Sequence, residues 1–327
     1  MAERNRFVTL DALRGIAAIG VMLYHSMPDS PLVIPGGYLA VDLFFVLSGF
    51  VIAFTYEHKL REGMTPREFL TLRAIRLWPM LLVGAGLGIA LYGGQAGMLF
   101  LLPSPYSDTL YPSNPPLWSL MLEGIAYLGF ATFAWRLRTG GLVVLAGVSA
   151  ATLAGFAFID SGRLHEFGAF WSSLPAGLAR VAFSFTMGML IYRVRRGDGL
   201  RHGPDKRAWS LVAGLLGVIF FMPDSGRTGG LLAILLVFPA MLWFASKWEL
   251  PLPRAGLLLG AVSYPLYCIH VPILAATAAS AVSRPVVWAI LIPVSLMLDR
   301  WWDRPVRRWL LALRARSEAQ TRIGIST

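Results

Sequence analysis

The chain has 327 residues, of which 56% are hydrophobic and only 14% are charged, and its formal net charge is +11. A soluble domain of this length would carry more polar residues, whereas repeated apolar runs of about 20 residues indicate helices that span a membrane. The single cysteine excludes an intramolecular disulfide and a cysteine metal site. The composition therefore predicts an all-α, polytopic membrane protein.

Ten apolar segments predict about ten transmembrane helices. They cover residues 8–27, 37–56, 77–95, 117–135, 141–159, 173–192, 208–222, 229–246, 256–279 and 285–299. With a cytoplasmic N-terminus, the inner segments hold 24 of the 29 Lys and Arg residues, the outer loops hold three, and Arg14 and Arg180 lie within spans. The positive-inside rule therefore predicts that both termini are cytoplasmic (N-in and C-in). This topology accounts for the positive charge, so no nucleic-acid partner is expected.

The first span carries three polar side chains, Asp11, Arg14 and His25. Arg14 and His25 are eleven residues apart, so they lie within roughly 20° of each other on one helix face and about 16 Å apart along its axis. Ionisable residues inside a bilayer are costly and mark functional sites, pathways or ion pairs. The alternative to a functional stripe is an Asp11–Arg14 ion pair beside a structural His25.

Ionisable residues also lie in other spans. Asp42 in span two, Glu123 in span four and His270 in span nine are expected in the outer half of the membrane, at the level of His25. A histidine with a nearby carboxylate is the usual general-base arrangement. Asp42 is equally consistent with a buried group that fixes helix packing, and His270 is expected to be structural or to line an acceptor site. Arg180 needs a partner from another helix or an anionic ligand.

Basic residues flank the spans at the inner side. Arg73 and Arg76 stand one helical turn apart just before span three, so they share a helix face and suit phosphate binding through their guanidinium groups. The alternative is that they are ordinary topology charges. The segment 300–316 combines three tryptophans with six arginines, and it is predicted to be an amphipathic helix at the cytoplasmic interface, near anionic lipid.

The residues alone do not name a reaction. The sequence contains no P-loop, no GxGxxG after a strand, no HExxH and no GxSxG. Residues 1–327 are expected to form a single transmembrane domain, without an appended soluble domain. The pattern supports an intramembrane site of histidines and carboxylates with basic residues below it.

Several segments resemble the acyltransferase 3 family of integral-membrane O-acyltransferases, in the expected order. These are LDALRGIAA with its following His25, GGYLAVDLFFVLSGFVI, LTLRAIRLWPM, WSLMLEGIAY and SYPLYCIHVPI. The resemblance implies ten core helices in a bacterial inner (plasma) membrane. It also implies transfer of an acyl group, commonly acetyl from cytosolic acetyl-CoA, to a hydroxyl of a sugar or of another extracytoplasmic or membrane-associated acceptor.

The resemblance further implies roles for individual residues. The implied catalytic residues are His25, Glu123 and Asp42, and the implied donor-binding residues are Arg14, Arg73 and Arg76. Arg14 and His25 match the family's Arg–X10–His motif. His25 would deprotonate the acceptor hydroxyl or carry the acyl group transiently, and a carboxylate would orient it. The implied partners are acyl-CoA, a glycan or other hydroxyl-bearing acceptor and membrane lipids, and no metal is expected.

Two other functions were weighed. A membrane transporter or flippase also uses intramembrane histidines and carboxylates, as a proton relay. The absence of recognisable inverted repeats weighs against it. A non-catalytic membrane scaffold would leave the polar stripe of the first span unexplained. The sequence leaves four questions open. They are the identity of the acceptor, the acyl chain length, the choice between direct transfer and an acyl-histidine intermediate, and the oligomeric state.

Overall fold

A computed structural model describes residues 7–26, 34–159, 164–198, 203–222, 227–280 and 282–324. Helices dominate these ranges. They are α1 (Val8–His25), α2 (Ala40–Arg61), α3 (Pro66–Tyr92), α4 (Leu117–Thr132), α5 (Thr139–Ile159), α6 (Leu174–Arg195), α7 (Ala208–Phe221), α8 (Arg227–Leu232), α9 (Phe238–Ala245), α10 (Pro253–Ala276), α11 (Arg284–Leu298) and α12 (Arg304–Gly324). The predicted all-α class is confirmed.

Eight helical segments of the described residues are long and apolar enough to cross a membrane. Two of the eight are composite, because π-helical turns at Ala233–Val237 and Asp299–Asp303 join α8 to α9 and α11 to α12. The shorter apolar helices α4 and α7 bring the total to ten, one for each predicted span. Residue 27, the predicted end of span one, lies outside the described ranges.

Helix α3 begins well before the apolar run that predicted its span. Thr65 accepts a hydrogen bond from the backbone of Glu68, and the Glu68 carboxylate accepts one from the backbone of Thr65, at 3.2 and 2.7 Å. This reciprocal cap, followed by Pro66 at the first helical position, starts the helix at Pro66. Arg73 and Arg76 therefore lie on a rigid helix, one turn apart, rather than in a loop.

Helices α1, α3 and α10 run in the same direction. Gly260 of α10 packs against Asp11 near the start of α1, and His270 contacts His25 at its end. Helix α3 follows α10 in the same sense, since Arg76 stacks on Tyr264 at one end and Tyr92 bonds to Pro272 at the other. We call the end with His25 and His270 the histidine end. The opposite end, with Arg73 and Arg76, is the basic end.

Helix α11 returns to the basic end. Its Trp288 indole donates to Ser26 at the histidine end, at 2.8 Å, and the π-helical turn that follows α11 brings Asp303 to Arg76. Helix α1 begins and α11 ends at the same end of the bundle. That arrangement is required by the prediction that both termini lie on one side of the membrane.

Helices α2 and α6 approach each other through glycine. A Cβ atom on Gly49 would lie 2.0 Å from the Phe185 carbonyl oxygen, and one on Gly188 would lie 2.2 Å from the Val46 carbonyl oxygen. Small residues at such crossings let helix backbones pack closely in a membrane, where dispersion contacts replace the hydrophobic effect as the driving force. This close contact sets the distance between α2 and α6, and α2 forms one wall of the site described below.

We expect Gly188→Ala to destabilise the protein. The added methyl group meets backbone rather than a movable side chain, and overpacking of this kind costs about 1–3 kcal/mol. The measurement is the thermal unfolding midpoint of the purified protein in detergent. Gly147→Ala on α5 is the matched control, because a Cβ atom there meets nothing within 4 Å. Equal midpoints for the two variants would contradict the close α2–α6 contact.

Candidate active site

A cavity of about 170 Å³ lies between α1, α2, α3, α4 and α10. Its polar lining changes from one end to the other. The polar residues that line it are Arg14, Ser48, Arg73, Arg76, Ser119, Glu123, Tyr127, Ser263, Tyr264 and Tyr267. Most of the remaining wall is aliphatic or phenylalanine. The cavity is therefore bordered by arginines near the basic end and by the uncharged Ser119 and Tyr267 towards the histidine end.

Glu123 is the carboxylate inside this cavity. Ser48 of α2 donates to its Oε1 atom at 2.6 Å, and the Tyr127 hydroxyl donates to the same oxygen. Arg73 donates to the Tyr127 hydroxyl at 2.8 Å, and its guanidinium lies 4.6 Å from the Tyr127 ring centre. Glu123 is thus linked through Tyr127 to Arg73, one of the arginines expected to bind the acyl donor.

The sequence predicted Glu123 and Arg73 as site residues but did not predict Tyr127 and Ser48, which contact Glu123. Tyr127 lies four residues after Glu123, a spacing that places both on one face of α4, so this residue was readable from the sequence. Ser48 had no such signal, because only the packing of α2 against α4 brings its hydroxyl to the carboxylate.

A second cavity, of about 590 Å³, opens at the basic end. Arg14, Arg73 and Arg76 line both cavities, so the two adjoin at these side chains. The structure therefore brings together the three arginines that the sequence assigned to the donor. Buried N–H groups of Arg73 (Nε) and Arg76 (Nη1) have no hydrogen-bond partner among the described residues. Such donors are costly to leave unpaired, so they are available to an anionic ligand.

Arg14 also has the partner that the alternative interpretation proposed. Its Nη1 atom lies 3.4 Å from the Asp11 carboxylate, one turn earlier on α1. This separation is long for a charged hydrogen bond. Arg14 is thus paired with Asp11, as the alternative interpretation proposed, and it also lines both cavities.

His25 lies at the histidine end of α1 and is exposed. Its Nδ1 atom is 2.9 Å from the Val21 carbonyl oxygen and 3.2 Å from Nε2 of His270. The Nδ1 atom of His270 lies 3.0 and 2.9 Å from the carbonyl oxygens of Leu266 and Tyr267. His270, expected to be structural or to line an acceptor site, is therefore the direct partner of His25.

These contacts fix the tautomers of the two neutral rings. A carbonyl oxygen only accepts, so Nδ1 of His270 carries its proton and Nε2 of His270 is an acceptor. Nδ1 of His25 faces two acceptors and must carry the proton of that ring. The lone pair of His25 is consequently on Nε2, and no hydrogen bond reaches this atom within the described part of the chain. A neutral imidazole presented in this way is a competent base or nucleophile.

Tyr267 separates the histidine pair from the cavity. Its hydroxyl lies 2.6 Å from the Ser119 hydroxyl, and its ring centre lies 5.6 Å from that of Phe44. On its other side the ring contacts His270, with centroids 5.8 Å apart. The cavity thus ends one turn of α10 before His270. Glu123 lies closer to the basic end than the level of His25, where it was expected from the sequence.

Asp42 is held by Arg180. Both side chains are buried, and the guanidinium Nε and Nη2 atoms donate to the two carboxylate oxygens at 2.8 and 2.6 Å. The remaining Arg180 donors reach backbone carbonyls, those of Leu164 and Tyr38 among them. The structure differs here from the expectation, because in the ranges it describes neither Asp42 nor Glu123 bonds to His25. Of the two interpretations of Asp42, the geometry favours the packing group, and Arg180 has the partner it required.

We expect Asp42→Ala to act on stability first. Removing one partner of a buried ion pair leaves an uncompensated charge and costs about 3–5 kcal/mol. Asp42→Leu combined with Arg180→Met, which removes both charges, should recover much of the lost thermal midpoint. Asp205→Ala is the control, since its pair with Arg207 is solvent-exposed. An Asp42→Ala protein with a normal midpoint would contradict this structural role.

The fold and the cavity define a multi-pass membrane protein that can admit an anionic molecule at its basic end. A family model described as an acyltransferase domain, that of the acyltransferase 3 family, matches residues 7–298. The chain belongs to this family and is a membrane acyltransferase. The resemblance found in the sequence is confirmed.

Two curated relatives are similar to the chain. Protein 2 in the picA locus of Rhizobium radiobacter is 33% identical over 179 residues, which cover 46% of this chain and 93% of the relative. The exopolysaccharide production protein ExoZ of Rhizobium meliloti (strain 1021) is 29% identical over 269 residues, covering 76% and 80%. Both relatives are bacterial, which indicates the inner membrane as the location. No solved structure matches the chain significantly.

Proposed function

We propose that the protein transfers an acyl group, acetyl being the simplest, from cytosolic acyl-CoA to a hydroxyl of a glycan or a similar acceptor on the opposite side of the membrane. The observation that carries the proposal is that the two adjoining cavities share Arg14, Arg73 and Arg76 as lining residues. An acyl-CoA has an anionic nucleotide end and a long, largely uncharged arm that ends in the thioester. An arginine-lined opening that leads into a narrower and less charged path suits both parts.

The acceptor is proposed to approach from the histidine end. His25 is exposed there, while the arginines lie at the opposite end. Exopolysaccharide production is the role printed in the name of the ExoZ relative, and it supports a carbohydrate hydroxyl as the acceptor. A transporter or flippase would also use ionisable groups within the membrane. Membership of an acyltransferase family favours the enzyme.

The chemical step uses the free nitrogen of His25. As the acceptor oxygen attacks the thioester carbonyl carbon, Nε2 of His25 takes the hydroxyl proton. The carbon–sulfur bond then breaks, and the departing CoA thiolate recovers that proton. In the alternative route Nε2 itself attacks the thioester carbon, and the carbon–sulfur bond breaks to release CoA thiolate. The acceptor hydroxyl then attacks the acyl-histidine, the carbon–nitrogen bond breaks to restore His25, and the hydroxyl proton ends on the CoA thiolate. Both routes require the same tautomer, which the His270 contact favours.

His270 takes the place that the sequence interpretation gave to a carboxylate. It accepts from Nδ1 of His25 and orients the ring, and imidazolium formed during the reaction would be stabilised less than beside an anion. Glu123 is proposed to act along the donor path, through Tyr127 and Arg73. Asp42 contributes indirectly, by pairing with Arg180. To reach Nε2 of His25 the acyl group must pass Tyr267.

We expect His25→Ala to reduce acyl transfer about 10²- to 10⁴-fold, the usual contribution of a positioned general base. The measurement is the acetyl content of the cell-surface glycan in a deletion strain complemented with each variant, together with release of CoA from labelled acetyl-CoA by the purified protein. His58→Ala is the matched control, because His58 is an exposed histidine near the C-terminal end of α2. Normal acetylation by well-expressed His25→Ala protein would exclude this histidine from the mechanism.

We expect Arg73→Ala and Arg76→Ala to weaken acetyl-CoA binding. Each lost charged hydrogen bond costs about 1.5–3 kcal/mol, or roughly 10- to 150-fold in Kd. Calorimetry on the purified protein at two ionic strengths measures the effect, and the salt dependence should decrease in the variants. Arg67→Ala, an exposed position on the same helix, is the control. An unchanged affinity in the double variant would reduce Arg73 and Arg76 to topology charges.

A further inference from the structure

Helix α12 covers one side of the larger cavity. Arg304, Arg307 and Arg308 line it opposite the arginines of α1 and α3. The sequence interpretation treated this segment only as an interfacial helix. In the structure its first turns face the donor opening. The match to the acyltransferase family ends at residue 298, before this helix begins, so these three arginines are additions beyond the matched domain.

The π-helical turn before α12 aims these side chains. Asp299 lies 2.5 Å from Arg304 and 3.9 Å from Arg307, and Asp303 lies 2.5 Å from Arg307. Asp303, which is buried, also lies 3.8 Å from Nη1 of Arg76, too far for a hydrogen bond. The two aspartates therefore hold arginines of α12 beside an arginine of α3. π-helical turns are frequent at functional sites because they redirect side chains.

The cavity keeps an excess of positive charge after this pairing. Six arginines and two aspartates are among its lining residues. Arg308 has no ion pair or hydrogen bond to another side chain in the ranges that the structure describes. Together with Nε of Arg73 and Nη1 of Arg76, which have no hydrogen-bond partner among the described residues, it leaves cationic donors on two sides of one opening. Uncompensated guanidinium groups facing each other repel, so the arrangement is stabilised by an anion between them.

We infer that α12 completes the nucleotide site, and that Arg308 binds the 3′-phosphate of the CoA donor. This inference rests on the proposed function. A CoA molecule carries a diphosphate and a separate 3′-phosphate, and two arginines on one face of α3 cannot surround both. The larger cavity, of about 590 Å³, is assigned to the bulky nucleotide, and the smaller, of about 170 Å³, to the arm. Arg304 and Arg307, oriented by the aspartates, close the site beside Arg308.

The test compares two ligands that differ only in the 3′-phosphate, acetyl-CoA and 3′-dephospho-acetyl-CoA. Binding is measured by calorimetry on the full chain in nanodiscs of neutral phosphatidylcholine. We expect Arg308→Ala to weaken acetyl-CoA binding about tenfold, the loss of one charge-assisted hydrogen bond, and to leave the dephospho ligand nearly unchanged. Arg308→Lys should retain part of the preference. Because Arg308 supports no other side chain in the described ranges, the variant should remain folded.

Arg300→Ala is the matched control, since Arg300 is exposed and precedes α12 by four residues but does not line the cavity. It should leave both affinities unchanged. Equal losses for the two ligands in Arg308→Ala, or no loss at all, would overturn the inference while leaving the proposed function intact. In a second set of nanodiscs that contain anionic phosphatidylglycerol, weaker binding of this lipid by Arg308→Ala with normal acetyl-CoA binding would overturn it in favour of a lipid contact. A wild-type protein that binds neither thioester would instead refute the proposed function itself.

Discussion

The constraint on which the structure depends is the cost of a guanidinium group inside an apolar bundle. Arg180 meets it completely, because Asp42 and backbone carbonyls occupy its donors, and it is therefore part of the scaffold. Arg14, Arg73 and Arg76 meet it incompletely and line open space. The difference in pairing, rather than depth or sequence context, separates structural arginines from those available to a ligand.

Helix packing places the incompletely paired arginines and the histidines at opposite ends of the bundle. Glycines at the α2–α6 contact fix the position of α2, whose Ser48 contributes to one wall of the cavity. Because α1, α3 and α10 run in the same direction, arginines early in α1 and α3 collect at one end. Histidines late in α1 and α10 collect at the other. In the proposed function this separation keeps a charged donor and an acceptor apart until the acyl group reaches Tyr267 and His25.

The partner of His25 changes the electrostatics expected of the base. A carboxylate would stabilise a charged imidazole by direct attraction, whereas His270 supplies orientation and a hydrogen-bond acceptor without a formal charge. Such a pair favours a neutral His25 that accepts a proton briefly over one that is permanently charged. Glu123 is free of that task and instead connects Ser48 and Tyr127 with the donor arginines.

The sequence by itself determined the ten helices, their shared class and the residues of the Arg14–His25 stripe, because apolar length and helical spacing are local properties. It also identified Arg73, Arg76 and Glu123 as candidate site residues, because a charged side chain in or near a membrane span has a high free-energy cost and is rare there. Only the tertiary structure decided which helix supplies each partner. Asp42 pairs with Arg180, His270 contacts His25, and the arginines of α12 line the larger cavity. Such pairing between distant helices depends on packing that no local pattern records.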